Sequence, residues 1–285
     1  MQKKILSLLL IPCLSLISLN AMALSCGDNA DQNTVEANNY IFQLFDYIDL
    51  PVKGIKQETT TTITKDENTN QTIANHTLDY DPNGLIIQSH YELYSDNNKQ
   101  LYSEYLQKID TGWENIIEDF EDKTNSITQF TTDTQGKIIQ SHQVKKAVNF
   151  IFIQNDSYQY DSNNCLINKK VRWQLKETDI NGQYTDKALK GNSVFTYNYQ
   201  DQKLSKFVSQ FGKDLKSESD FLYQYDNNHR LSAIQSFYSS SGKRSIHYAT
   251  NFLTFNDKND WLTASKVRKD QNNKQANIIR KVTYY

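Results

Sequence analysis

The chain has 285 residues, 38% hydrophobic and 22% charged, with a formal net charge of −2. That length suits one large domain with a sizeable core, and the near-neutral charge argues against a nucleic-acid partner, which would call for a basic patch. Tyr (18) outnumbers Gly (9) and proline is scarce (3), a balance that favours strands over disorder.

Residues 1–23 read as a secretory signal peptide. Lys3 and Lys4 form the basic start, Ile5 to Leu19 the apolar run, and Ala21-Met22-Ala23 the small residues before a cleavage site. The run is interrupted by Pro12 and is short for a membrane span. No other stretch is apolar enough to cross a bilayer as a helix. Cleavage after Ala23 removes Lys3 and Lys4 and takes the charge from −2 to −4. The expected location is the periplasm or the medium. Lipidation at Cys26 fits poorly, because Ala23-Leu24-Ser25-Cys26 has Ala where Leu is usual.

Cys13 leaves with the leader, so Cys26 and Cys165 remain in an oxidising compartment. A disulfide between them would tie the N-terminal tail to a turn far along the chain. Their spacing fits no metal motif. Residues 24–56 form the tail and a helix, predicted from Thr34 to Leu50. There Val35, Tyr40, Ile41, Leu44, Phe45 and Ile48 gather on one face, Thr34 can cap the start, and Pro51 follows the end.

Residues 57–285 read as a single β domain. The β-branched run 57–64 is followed by a turn at 66–70 and a return strand at 71–80. Polar turns then recur near 81–84, 96–99, 110–112, 122–125, 133–136, 161–164, 179–182, 200–203, 213–217, 226–229, 239–242, 256–259 and 270–273. Short strands between regular turn signals predict an antiparallel meander.

Several of these turns share one frame. Tyr80, Asp81, Gly84 and Ile86 recur as Tyr160, Asp161, Asn164 and Leu166, as Tyr225, Asp226, His229 and Leu231, and as Phe255, Asn256, Asn259 and Trp261. A copy at Thr132, Asp133, Gly136 and Ile138 has lost the aromatic, and one at Tyr199, Gln200, Lys203 and Leu204 is a residue short. The word IIQSH occurs in the same register at 86–90 and 138–142. The spacing predicts three-residue hairpin loops, with Asp bonding backbone N–H groups ahead of it and a positive φ three residues on. The residue before Asp should then face the residue at plus five, and minus three and plus seven should share that face, which groups Tyr158 and Tyr223 with it. Each cross-strand pair is worth roughly 0.2–1 kcal/mol. The fold expected is all-β, a long twisted antiparallel meander of roughly 14–16 strands. At that size the sheet should roll or curl rather than stay flat. It would bury the tyrosine–leucine face, expose the Lys, Asn, Gln and Ser face, and be plugged or capped by the helix.

YQYDNNHRL (223–231), YQYDSNNCL (158–166), DYDPNGLI (79–86) and DTQGKI (133–138) resemble the unit of bacterial YD-repeat, or Rhs-like, proteins, roughly Y-x-Y-D-x-x-G-R-L. The resemblance spans about residues 78 to 285. It implies sheet architecture and an envelope or secreted setting. The large members' toxin shell does not carry over, because this chain is too short and has no cleavage core.

The chain carries no nucleophile motif, phosphate loop or spaced Cys/His cluster, so neither an enzyme nor a cofactor is expected. The acidic run Glu114, Glu118, Asp119, Glu121 and Asp122 reads as a solvated hairpin. His90 and His142 hold equivalent repeat positions and could stack on one face. Trp113, Trp173 and Trp261 either fill the core or stack on a ligand. The function expected is non-enzymatic recognition of an envelope polysaccharide or protein. Alternatives are an accessory protein pairing through a sheet edge and, on the strength of terminal Tyr285, an outer-membrane barrel. Polar residues on both faces of Leu166-Ile167-Asn168-Lys169-Lys170 oppose the barrel.

Overall fold

The computed structural model describes residues 24–45, 54–65, 71–178, 184–212, 215–240, 243–268 and 274–285. The leader at 1–23 and the turns at 66–70, 179–183, 241–242 and 269–273 lie outside these residues. Among the described residues one helix, α1 (Ala30–Ile41), precedes sixteen strands. They are β1 (Ile55–Lys65), β2 (Gln71–Tyr80), β3 (Ile86–Ser95), β4 (Gln100–Ile109), β5 (Gly112–Asp119), β6 (Thr124–Thr132), β7 (Ile138–Lys146) and β8 (Phe150–Tyr160). Then follow β9 (Leu166–Thr178), β10 (Tyr184–Gln200), β11 (Lys203–Phe211), β12 (Leu215–Tyr225), β13 (Leu231–Ser240), β14 (Lys243–Phe255), β15 (Trp261–Arg268) and β16 (Lys274–Tyr284).

Each strand pairs antiparallel with its sequence neighbours, and β1 also pairs with β16, from Gln57↔Thr283 to Lys65↔Gln275. The expected rolled sheet is therefore a closed barrel. Twist accumulated over so many strands brings the first and last together, and pairing removes both exposed edges. This corrects one alternative: a closed barrel has no edge strand for another chain to join. Among the hairpins, the turn at 147–149 escaped the sequence reading, since Ala147-Val148-Asn149 carries no Gly, Pro or Asp. It closes through the Ala147 N–H donating to the Phe150 carbonyl.

The repeat turns have the expected chemistry. Gly84, Gly136, Asn164, His229 and Asn259 all have φ between 60° and 88°. Asp81 Oδ1 accepts from the N–H groups of Asn83 and Leu85 at 2.9 and 3.0 Å. Asp133, Asp161, Asp226 and Asn256 repeat this bonding. The short copy uses a two-residue turn with positive φ at both Asp201 (49°) and Gln202 (62°), the conformation whose twist matches the strands. The plus-five pairs form as read: Tyr80↔Ile86, Thr132↔Ile138, Tyr160↔Leu166, Tyr225↔Leu231 and Phe255↔Trp261.

The plus-seven residue does not join that face. Tyr158 faces Lys169 and Tyr223 faces Ile234, at plus eight rather than plus seven. A bulge on each return strand inserts one residue, and the register slips by one. The bulge also explains why the aromatic is tyrosine. Tyr160 Oη donates to the Ile138 carbonyl (2.6 Å), Tyr199 Oη to Leu166 (2.7 Å) and Tyr223 Oη to Leu204 (2.9 Å). Trp113 Nε1 does the same for Ile86 (3.0 Å), and Arg280 for Trp261 (3.2 Å). These side chains thus satisfy the return-strand carbonyls left open at Ile86, Ile138, Leu166, Leu204 and Trp261. Leaving such a buried acceptor unmet costs about 1–3 kcal/mol.

Inside and outside separate by alternation. In β6, Thr124, Ser126, Thr128 and Phe130 are buried while Asn125, Ile127, Gln129 and Thr131 are exposed. The outward rows elsewhere carry Asn75, Gln88, Gln140, Lys146, Asn155, Lys170, Arg172, Asn192 and Lys281. The inward rows are apolar at the repeat-turn mouth, where Leu78, Tyr80, Ile86, Leu106, Trp113, Ile138 and Leu166 meet the plug. Charged groups also point inward, against expectation: Glu58, Glu104, Asp156, Lys169, Lys266 and Arg280 are all buried.

Candidate functional site

The site is built on the plug. α1 starts at Ala30, earlier than the predicted Thr34. The Asn29 side chain caps it by accepting from the N–H groups of Asp31 and Gln32. It ends at Ile41 rather than Leu50, and Gln43 turns the chain with φ 52°. Phe45 is described, but Ile48 and Leu50 lie outside the described residues.

The buried side of α1 is largely polar. Asn39 donates to the Gly84 carbonyl (2.8 Å) and accepts from the Ile86 N–H (2.9 Å). Asn38 makes the same pair with Gly136 (2.8 Å) and Ile138 (3.0 Å). Two consecutive residues thus read the same two backbone groups in two repeat units. Asn33 donates to the Asn163 carbonyl (2.8 Å) in a third unit, where a disulfide joins Cys26 to Cys165 across a Cα–Cα distance of 5.4 Å. The segment before the helix pairs with a fourth turn, Cys26 N–H to Gln202 and Leu204 N–H to Leu24, both at 2.8 Å. At the next unit Tyr225 is 46% exposed, with Lys203 over its ring.

Beyond the helix, Phe42 packs on Trp113 and Phe130, and Phe45 on Tyr91 and Tyr102. These residues floor a lumenal cavity of about 340 Å³ that extends along β4 to β9 as far as Glu121 and Asp122 in the β5–β6 turn. Its wall is polar. Glu104 is buried, accepting from Asn115 Nδ2 (2.6 Å) and from the Phe45 N–H (2.8 Å). Asp156 Oδ2 accepts from Lys169 Nζ (2.7 Å) and Gln154 Nε2 (3.1 Å). Tyr158 Oη lies 3.0 Å from Ser141 Oγ. Burial and the Asp156 charge push the Tyr158 phenol well above its ordinary range.

Burial pushes the Glu104 carboxyl up to about 7, against the two hydrogen bonds that favour its charged form. The folded chain therefore keeps a proton that the unfolded chain releases. The stability this group contributes is greatest below about pH 4.5, falls as pH rises to about 7, and is level above. Burial holds His76 down at about 3, which acts in the opposite sense below pH 6.5. Comparing Glu104→Gln with the parent cancels the His76 contribution. From pH 4.5 to 8 the variant should gain about 3 kcal/mol relative to the parent, measured as urea unfolding free energies. A difference that does not change with pH would contradict the assignment.

The sequence candidates fall as follows. Trp113 (2% exposed) and Trp261 (6%) are core residues and offer no ring face to a ligand. Trp173 is half-buried, stacked 6.1 Å from Phe152 and laid against Gly191, where a Cβ would come within 2.3 Å of its ring. His90 and His142 are outward on β3 and β7 with three strands between them, so they do not stack. The acidic residues divide: Asp119, Glu121 and Asp122 line the cavity, whereas Glu114 and Glu118 face outward from β5. The lumenal residues Glu104, Asp156 and Lys169 were missed, and the only available signal was a charge at an inward position of an alternating strand.

Fold and site together define a closed, plugged β-barrel with a polar-lined lumen. No family model matches the chain, and a search of curated proteins finds no match. Among solved structures it is similar to a porin-like protein from Bacteroides uniformis (TM-score 0.38, 9% identity, 82% of this chain and 99% of that one). It is also similar to a TcdB2-TccC3-Cdc42 complex (TM-score 0.32, 13% identity), covering 79% of this chain and 14% of that one. No functional conclusion follows from either similarity.

Proposed function

We propose that this is a non-enzymatic, exported recognition protein of the YD-repeat type, and that it binds an acidic envelope polysaccharide through the outside of β7 to β10. One observation carries the reading. His142, Lys146, Lys170, Arg172, Lys176 and Lys190 all occupy outward positions there, and among the described side chains no carboxylate shares those rows. A surface hollow on this face is lined by Asn155, Arg172, Trp173, Gln174, Lys190 and Asn192. Amide and cationic donors on a rigid sheet suit carboxylate- or phosphate-bearing sugars. Charged outward rows also argue against a lipid-facing barrel, where Lys and Arg near the bilayer midplane cost about 2–4 kcal/mol each. Among the described residues no lumenal group is arranged as an activated nucleophile. Lys169 is held by Asp156, and the Tyr158 phenol is pushed away from the range of a base.

The test is a titration of the mature protein with acidic and neutral polysaccharide fractions, read by tryptophan fluorescence and calorimetry. Saturable binding to the acidic fraction is expected, weakening as salt rises. Lys170→Glu with Arg172→Glu should weaken it at least about tenfold without changing the far-ultraviolet circular dichroism. Equal binding of a neutral fraction, or no effect of the double variant, would remove the reading.

A further inference from the structure

We infer that the lumenal cavity binds a small organic cation with ammonium groups at two ends, of the α,ω-diamine class. This is a site separate from the outward basic face.

Three observations carry it. Asn115 Oδ1 and Asp156 Oδ1 both line the cavity wall, in residues 3% and 6% exposed, and neither has a hydrogen-bond partner among the described residues. Both atoms are acceptors. Buried acceptors without donors are costly, so a matching ligand brings N–H groups. Asn115 cannot easily present its amide instead, because its Nδ2 is already spent on Glu104 Oε1.

The second observation is charge. Asp119, Glu121, Asp122 and Asp156 line the cavity against two lysines, Lys145 and Lys169, and Glu104 adds its charge as pH rises past about 7. Lys169 is already bonded to Asp156 Oδ2. The net field is negative and strongest at the rim, where Glu121 and Asp122 stand exposed at the β5–β6 turn. A cation is drawn in, and an anion is not.

The third is spacing. Asn115 lies on β5 and Asp156 on β8, three strands on. At a strand separation of about 4.8 Å they are roughly 14 Å apart along the curved wall. One ammonium cannot meet both. A ligand with a donor at each end can, one end reaching Asn115 beside Glu104 and the other Asp156. Ile117 on β5 and Phe130 on β6 give a methylene chain apolar contact beside the Thr124, Ser126 and Thr128 hydroxyls of the same wall.

The probes are 1,6-diaminohexane, whose length matches that span, 1-aminohexane and 1,6-hexanediol, titrated calorimetrically into the full mature protein. Saturable diamine binding is expected, with the monoamine and the diol each at least about tenfold weaker. Asn115→Leu should weaken the diamine about tenfold or more, while Lys170→Glu with Arg172→Glu should leave it unchanged. No heat from the diamine at millimolar concentration would overturn the inference. So would a diol that binds as well as the diamine, which would make the cavity a hydroxyl reader. Undiminished diamine binding by a folded Asn115→Leu variant would place the ligand elsewhere and also overturn it.

Discussion

Arg280→Met is expected to destabilise the barrel by about 3–5 kcal/mol, the usual loss when one partner of a buried ion pair is removed. Arg280 and Glu58 are 4% exposed each, and the guanidinium donates to Glu58 Oε2 through both Nε (2.8 Å) and Nη2. Nη1 reaches the Trp261 carbonyl at 3.2 Å, and the guanidinium carbon sits 4.8 Å over the Trp261 ring. Arg280 lies on β16 and Glu58 on β1, so the pair spans the seam that closes the sheet. Removing Arg280 strands a carboxylate in the core and orphans a carbonyl in the same stroke. The double variant Glu58→Met, Arg280→Met should recover most of the loss, since apolar replacement of a whole buried pair is often near neutral. Urea unfolding of the parent, both single variants and the double variant closes the cycle. Single losses below about 1 kcal/mol would mean that water reaches the pair and that the seam is held by the strand ladder alone.

The plug supplies the second large effect. Asn39→Ala should cost about 2–3 kcal/mol and Asn38→Ala about 1–2, together about 4, because each truncation leaves a buried amide without a partner, and the first also strands the buried Gly84 carbonyl whereas Gly136 is exposed. The hairpin backbone of the Gly84 and Gly136 units has no alternative donor or acceptor at those positions in the hydrogen-bonding pattern described. The specific reporter is amide hydrogen exchange at Ile86 and Ile138, which should speed up in the matching variant and not in the other. Undisturbed exchange at both would refute the docking. With the Cys26–Cys165 disulfide intact, the variants should keep the plug tethered to the Asp161 unit. Reduction should then release it, because Asn33 and the short 24–26 pairing are the remaining anchors there.

What could be read beforehand was local. The Asp-to-plus-three frame, the positive φ at Gly84 through Asn259 and the plus-five pairs follow from turn chemistry confined to a few residues. The failures have equally particular causes. The plus-seven residue leaves the face of Tyr158 and Tyr223 because a bulge lies on the return strand, where no residue type marks it. The helix was drawn too late because the apolar stripe from Val35 to Ile48 was weighed over the Asn29 cap. Its docking surface was hidden for a further reason: Asn33, Asn38 and Asn39 look like a solvated face, yet they meet backbone groups left open at the hairpin turns. The turn at 147–149 was invisible because it closes without Gly, Pro or Asp.

The sequence by itself determined the β class, the hairpin period, the turn conformations and the pairing partners next along the chain, since all of these depend on contacts within about twenty residues. Tertiary structure decided the rest. Closure joins residues 55–65 to 274–284, and no local pattern encodes a contact across the whole chain. Closure in turn gives the inward rows an enclosed lumen. That is why Glu104, Asp156, Lys169 and Arg280, which as isolated letters read as surface charge, become buried groups whose partners and protonation are set by residues from distant strands.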